Sequence, residues 1–353
     1  VEWEVPMIKT LRNRLIQEYG YSESEATKRV VHFDIQRTRE LLHGGLHHEK
    51  DLNFIENNSE IFSNSGLNGV VGDCNVDLII GGPPCQAYSL AGRAQDKNSM
   101  KDDYRNYLFE SFAKIVNHYK PKMFLFENVG GILSAAPGNI PVLSRIYDAF
   151  KEIGYTIREP FEQKKSLLNS NDFGVAQNRK RVIIIGLRND LNINIEEIYQ
   201  EIDRNKVSQK LNVRDVLYDL PKLFPLSKPE KKISHQSKGL INDEYHKPRF
   251  HNARDIELFR EWIDNDMNRA STEEKLAFYN KWTGKFSNHN KYRNLEWDKP
   301  SPTIVSHLNK DGLLFIHPDP EQSRTLTVKE AALIQSFPNN FEFLGNQGYN
   351  YKM

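Results

Sequence analysis

A chain of 353 residues with 48 Lys+Arg against 47 Asp+Glu, a formal net charge of +1, is long enough for about two domains and exerts no global pull on a polyanion. Its two cysteines, Cys74 and Cys85, exclude a secreted disulfide framework and a paired-cysteine zinc site, and they indicate a reducing compartment. The longest apolar stretches, 76–80 and 182–187, fall far short of the ~20 residues that span a bilayer, and 27% charged with 11% aromatic residues argue for a folded globule.

In chain order, residues 29–35 (RVVHFDI) read as a first strand, and the polar, Asn-rich residues 36–75 as an insertion after it. A second strand at 76–80 (VDLII) leads into Gly81-Gly82-Pro83-Pro84-Cys85-Gln86. Residues 107–119 carry Leu108, Phe109, Phe112, Ile115 and Val116 at helical spacing and stop at Lys120-Pro121. A third strand at 123–126 (MFLF) ends on Glu127-Asn128-Val129. A second helix covers 139–153 up to Gly154, and a fourth strand covers 181–186 (RVIIIG). Short continuous apolar runs are typical of strands covered on both faces, and their alternation with helices predicts an α/β fold with a parallel sheet. Ligands bind beyond the carboxyl ends of such strands, which singles out the loops after the second and third. Residues 222–299, with scattered prolines and abundant charge, read as a second domain, and the α/β pattern returns near Pro302. Thr327 and Glu330 form a capping box opening a helix that runs through 331–336 to Phe337-Pro338.

Three features carry chemistry. Cys85 sits in a turn stiffened by Pro83 and Pro84, and Gly81 and Gly82 permit close backbone approach. A thiolate there is a strong nucleophile, although a single cysteine is more often an inert buried group. Glu127 ends a buried strand, where a carboxyl group can hold and donate a proton; the plainer reading is a loop cap. Arg179 and Arg181 stand two apart before a strand, so an extended backbone turns both to one face to clamp an anion, unless they form a solvated basic turn.

In this order and setting the motifs resemble those of the C5-cytosine-specific DNA methyltransferases of restriction-modification type. The family's Pro-Cys-Gln loop matches Pro84-Cys85-Gln86, its Glu-Asn-Val matches 127–129, and its Gln-x-Arg-x-Arg matches Gln177-Asn-Arg179-Lys-Arg181. Arg324, Glu330, Gln335 and Phe337-Pro338 resemble its penultimate motif. The resemblance implies a Rossmann-like S-adenosylmethionine-dependent methyltransferase sheet with a second, smaller target-recognition domain. It implies S-adenosylmethionine contacts at Glu2, Trp3, Asp34, Ile35, Pro84 and Leu108, and DNA contacts at Gln86 and Ser89. Cys85 would add to C6 of cytosine, Glu127 would assist at N3, Arg179 would hold the base carbonyl, and Arg181 would support the carboxylate or the cysteine loop. The cytosine would have to be flipped out of the duplex.

On this reading residues 1–187 are catalytic with 36–75 inserted, 188–298 are target-recognition, and 299–353 return to the catalytic domain. In 275–294, Lys281, Lys285, Lys291 and Arg293 alternate with aromatics and no acidic residue occurs, a pattern suited to phosphates and base edges. A solvated surface over a small apolar core is the alternative. His43, His47 and His48 lack Cys or carboxylate companions and read as a surface loop rather than a metal site. The family's glycine-rich loop and its C-terminal motif are expected outside Val1 and Met353, on a longer polypeptide. The expected partner is double-stranded DNA, for a monomeric bacterial cytoplasmic enzyme without membrane attachment, with a cognate restriction endonuclease as a separate chain. A tRNA cytosine-C5 methyltransferase, a catalytically inactive DNA-binding relative and a cysteine hydrolase are the alternatives.

Overall fold

A computed structural model describes residues 1–83, 108–230, 232–239, 243–306 and 308–352. The chain divides into two compact units, Val1–Asn169 with Lys180–Lys206, and Ser170–Arg179 with Val207–Met353. These differ from the boundaries expected from sequence: residues 299–353 pack with the recognition interval, because Leu308, Phe315, Leu326, Val328 and Ile334 share one apolar core with Val213, Leu217 and Leu295.

The first unit is built on a sheet of β1 (Leu78–Gly81), β2 (Met123–Val129), β3 (Tyr155–Thr156), β4 (Leu167–Asn169) and β5 (Lys180–Arg188). The order is β1-β2-β5-β3, with β4 also on β5. β1 and β2 are parallel, whereas β5 runs antiparallel to β2, β3 and β4, so the sheet is mixed rather than all parallel. The helix Val142–Glu152 joins β2 to β3 as a crossover, and β5 fits between them in the opposite sense, entering after β4 without a crossover helix.

One sheet face buries Phe124, Phe126, Val182 and Ile184 against Phe112 of the helix Leu108–Tyr119 and Phe150 of Val142–Glu152. Phe124 stacks on Phe150 with centroids 4.1 Å apart. Each fully buried Phe contributes roughly 1.5–3 kcal/mol by leaving water. The other face buries Ile185 and Leu187 against Ile195 and Tyr199 of the helix Ile195–Arg204. Double coverage therefore holds for β5 but not for β1, which ends the strand order and leaves Leu78 42% and Ile80 69% exposed.

Residues 29–35 do not form the expected strand. Ser22 caps a helix, Glu23–Arg29, whose acidic first turn and basic last turn suit the helix dipole, so Arg29 is helical. Only an isolated parallel bridge, Glu2 to His32, follows. A side chain supplies further pairing: the Asn58 amide accepts from His32 N at 2.9 Å and donates to His32 O at 2.8 Å, as a neighbouring strand would. The 36–75 segment accordingly folds into the core, with Leu41, Leu46, Phe54 and Phe62 buried beside Val31, Phe33 and Ile115. Of its asparagines, Asn57 and Asn58 donate to backbone carbonyls, whereas Asn64 and Asn75 are exposed.

The second unit holds the hairpin Leu223–Glu230 with Ile233–Ser237, the helices Ala253–Asp264 and Thr272–Thr283, and a short helix Val328–Ile334. The Thr327/Glu330 capping box is present. The helix stops at Ile334, short of expectation, and Ser336 adopts φ 63. No helix among the described residues is long and apolar enough to cross a membrane.

Candidate functional site

Register dictates the first pair. Glu127 lies opposite Ile183 and Val129 opposite Arg181 in the antiparallel β2–β5 ladder, so Glu127 and Arg181 are diagonal neighbours on one sheet face. Arg181 Nε meets Glu127 Oε1 at 2.6 Å, with the side chains 20% and 38% exposed. The pair therefore borders solvent at the carboxyl end of β2. The end of β1 lies beside it: a Cβ on Gly82 would stand 2.9 Å from Glu127 Oε2, and one on Gly81 would strike the Phe112 ring at 2.3 Å. Glycine at these two positions lets the backbone run close to both the core and the carboxylate. Pro84, Cys85, Gln86 and Ser89 lie outside the described residues.

Arg179 and Arg181, expected on one face of an extended segment, belong to different compact units. In the second unit Arg179 lines a cavity of about 110 Å³ together with Ile304, Gln335, Phe337, Phe343 and Tyr351. Gln335 and Phe337 come from the tail motif, which the sequence had not connected with Arg179.

A second constellation forms near the chain start. Glu2 N donates to Val31 O at 2.9 Å and Phe33 N to Glu2 O at 3.1 Å, which zips 1–4 against 31–34 and gathers Glu2, Trp3, Asp34 and Ile35. Glu2 Oε1 accepts from Trp3 N and Glu4 N, at 2.7 and 2.9 Å, and Asp34 Oδ1 accepts from Gln36 N at 2.9 Å. The Trp3 ring is 57% exposed and lies 6.3 Å from His32 and 6.1 Å from Phe54. His32 was not anticipated; it is buried, and its Nδ1 has no hydrogen-bond partner among the described residues. Leu108 is buried at the start of its helix, as a packing residue.

Of the expected DNA contacts, Lys281 and Lys285 are exposed, Lys281 lying 3.5 Å from Glu261, and Lys291 is half-buried. Arg293 departs from expectation. Its guanidinium lies over Phe315 at 5.4 Å and its Nε donates to Leu314 O at 3.2 Å, so it braces the core, and burial lowers its pKa.

Arg324 and Glu330 are likewise internal. Arg324 is fully buried and donates Nη1 and Nη2 to Glu330 Oε2 and Oε1, at 2.7 and 2.6 Å. Despite its burial, Glu330 is held far below the usual carboxylate range by Arg324. Around them His235 is pushed down to about 4, and His251 and His317 to about 3, chiefly by burial and secondarily by nearby charge. These three rings stay neutral in the fold, whereas an unfolded chain protonates them below about pH 6.5. Stability should therefore be fully present above that pH and decline as pH falls toward 4, by up to about 1.4 kcal/mol per pH unit per histidine. Thermal melts at pH 7, 6 and 5 check this; a flat melting temperature across that range contradicts it.

Residues 46–353 match the family model described as C-5 cytosine-specific DNA methylase. Over 307 residues the chain is 39% identical to the type II methyltransferase M.Bpa9945I of Bacillus paralicheniformis, covering 78% of this chain and 66% of that protein. It is 31% identical to M.DdeI of Desulfomicrobium norvegicum, covering 77% and 65%, and 30% identical to M1.HphI of Haemophilus parahaemolyticus, covering 77% and 62%. The chain thus spans less than two thirds of the length of these relatives.

Proposed function

The chain belongs to the C-5 cytosine-specific DNA methylase family, and on that premise we propose that it transfers a methyl group from S-adenosylmethionine to C5 of a flipped cytosine in double-stranded DNA. The observation that carries the reading is the Arg181–Glu127 contact of 2.6 Å at the carboxyl end of β2, beside Gly82. It provides a carboxyl group oriented by a cation next to the segment that leads to Cys85.

The cofactor fits the corner formed by Glu2, Trp3, Asp34 and Ile35. An exposed indole face suits adenine, two carboxylates suit ribose and adenine donors, and the orphaned His32 Nδ1 adds a polar atom. When bound, S-adenosylmethionine supplies the methyl group as an electrophile on a positively charged sulfur. The Cys85 thiolate forms a bond from Sγ to C6, and the C5–C6 π pair moves to C5. Glu127, protonated for this step, hydrogen-bonds N3 and favours the addition, with Arg181 orienting its carboxyl group. Arg179 holds the base carbonyl. C5 then bonds the methyl carbon as the sulfur–methyl bond breaks, the electron pair staying on sulfur in neutral S-adenosylhomocysteine; a base then removes the C5 proton, and the electrons of that C–H bond restore the C5–C6 double bond and expel Sγ as thiolate.

The test is covalent trapping on DNA containing 5-fluorocytosine, where fluorine replaces the proton that must leave. The full-length protein should give a denaturant-resistant adduct that Cys85→Ala abolishes; no adduct defeats the enzyme reading. The same assay on fluorinated tRNA separates the RNA alternative. Monomeric action and a separate cognate endonuclease are further parts of this proposal.

Lys281 and Lys285 serve as phosphate contacts. Lys281→Ala with Lys285→Ala should weaken DNA binding and reduce the slope of log affinity against log salt by about two. Binding measured at several salt concentrations decides it: an unaltered slope removes both lysines from the interface.

A further inference from the structure

The antiparallel pairing of β4 with β5 ends at Asn169 opposite Lys180. Beyond that rung residues Ser170–Phe173 coil into a 3-10 turn, and no strand among the described residues pairs with 177–179 on that edge. Ser170 takes the place of the strand. Its N donates to Arg179 O at 3.0 Å, its Oγ accepts from Arg179 N at 3.2 Å, and the same hydroxyl donates to Gln177 O at 2.6 Å. One hydroxyl thus acts as donor and acceptor at once, and both main-chain groups of Arg179 rest on a single residue.

The opposite edge is held as well. Gln177–Asn178 pairs in parallel with Ser301–Pro302, Ser301 N donates to Ala176 O at 2.9 Å, and Thr303 Oγ1 donates to Asn178 O at 2.7 Å. The Gln177 side chain adds nothing to this hold, since it is fully buried and neither of its amide atoms has a hydrogen-bond partner among the described residues. The direction in which Arg179 leaves the backbone follows from these contacts, and those on one edge come from Ser170. Alanine at 170 would keep the bond from its N but leave Arg179 N and Gln177 O without the hydroxyl that joins them. The segment then regains freedom at the residue whose side chain must meet the base, where a misplacement of about 1 Å can cost about 10²-fold in rate.

We propose that Ser170 is a positioning residue for methyl transfer: its hydroxyl fixes the backbone from which Arg179 reaches the base carbonyl. The inference rests on the role given to Arg179 above, and both residues belong to the second unit.

The target is first identified by bisulfite sequencing of plasmid DNA methylated in cells. Single-turnover methyl transfer and DNA affinity are then measured for the full-length protein, for Ser170→Ala, Ser170→Thr and Arg179→Ala, and for Ser170→Ala combined with Arg179→Ala. Ser170→Ala should slow the transfer step about tenfold and leave DNA affinity within about twofold, and Ser170→Thr, which keeps the hydroxyl, should return the rate to within about threefold of wild type. In the Arg179→Ala background, loss of the hydroxyl should cost less than about twofold, because a residue that acts through Arg179 has nothing left to position. Equal losses in both backgrounds, an unaltered rate for Ser170→Ala, or a loss that threonine does not restore overturns the proposal. Absence of wild-type methylation, or a full rate for Arg179→Ala, defeats the underlying reading instead, so the two failures are distinguishable.

Discussion

Glu127→Gln should lower kcat for DNA methylation by about two to four orders of magnitude, the usual contribution of a positioned acid or base. Glutamine preserves the shape of the side chain and can still hydrogen-bond, but it cannot pass a proton to N3 or balance the charge of Arg181. Structural damage should not contribute much. The Arg181–Glu127 pair borders solvent, 20% and 38% exposed, and pairs in that setting contribute about 0–1 kcal/mol to stability. Single-turnover methylation with labelled S-adenosylmethionine, beside a thermal melt of the same preparation, separates the two effects. A near-normal rate would remove Glu127 from the chemistry. A rate loss matched by a collapsed melt would make it a structural residue.

Glu330→Ala should be among the most destabilising single substitutions in the second unit. Removing the carboxylate leaves the Arg324 guanidinium, 0% exposed, without its counter-charge, and such uncompensated burial costs about 3–5 kcal/mol. The same change removes the acceptor for Thr327 N, at 2.8 Å, and with it half of the capping box. Changing both partners to apolar residues, Arg324→Met with Glu330→Leu, should recover more than half of the loss, because the penalty arises from breaking the pair and not from lacking one. Three of the four tryptophans, Trp262, Trp282 and Trp297, lie in the second unit, so fluorescence-detected urea unfolding reports on it directly. An unaltered midpoint for Glu330→Ala would contradict the burial argument.

What could be read from sequence depended on how local its cause was. Residues 123–126 and 181–186 announced their strands through apolar runs, and Thr327 with Glu330 announced a helix start, because each signal lies within a few residues of its effect. The sense of β5 was not legible, since it depends on whether a crossover helix precedes the strand. Residues 29–35 misled because the helix-forming segment Glu23–Arg29 claims Arg29 and leaves only His32 for pairing. Arg293 looked like a phosphate contact because its neighbours are basic, yet Phe315 and Leu314, distant in sequence, draw it inward. At the site, the family resemblance had Arg181 support the carboxylate or the cysteine loop, and the β2–β5 register brings it onto Glu127. No local pattern foretold that Arg179 would share a cavity with Gln335 and Phe337, or that His32 would lie under Trp3.

The substitution of an amide side chain for a strand beside His32 has a chemical ageing consequence. Asn58 precedes a small residue, Ser59, and asparagines are thermolabile through loss of the amide nitrogen. Deamidation would turn the Nδ2 that donates to His32 O and Phe54 O, both at 2.8 Å, into an oxygen facing two carbonyls. A stored preparation would then lose the pairing at His32, beside the Glu2–His32 bridge, and with it support for the corner proposed to hold the cofactor. Replacing Asn58 in advance would remove the labile amide but also the pairing, because no other side chain of that length offers the same donor and acceptor.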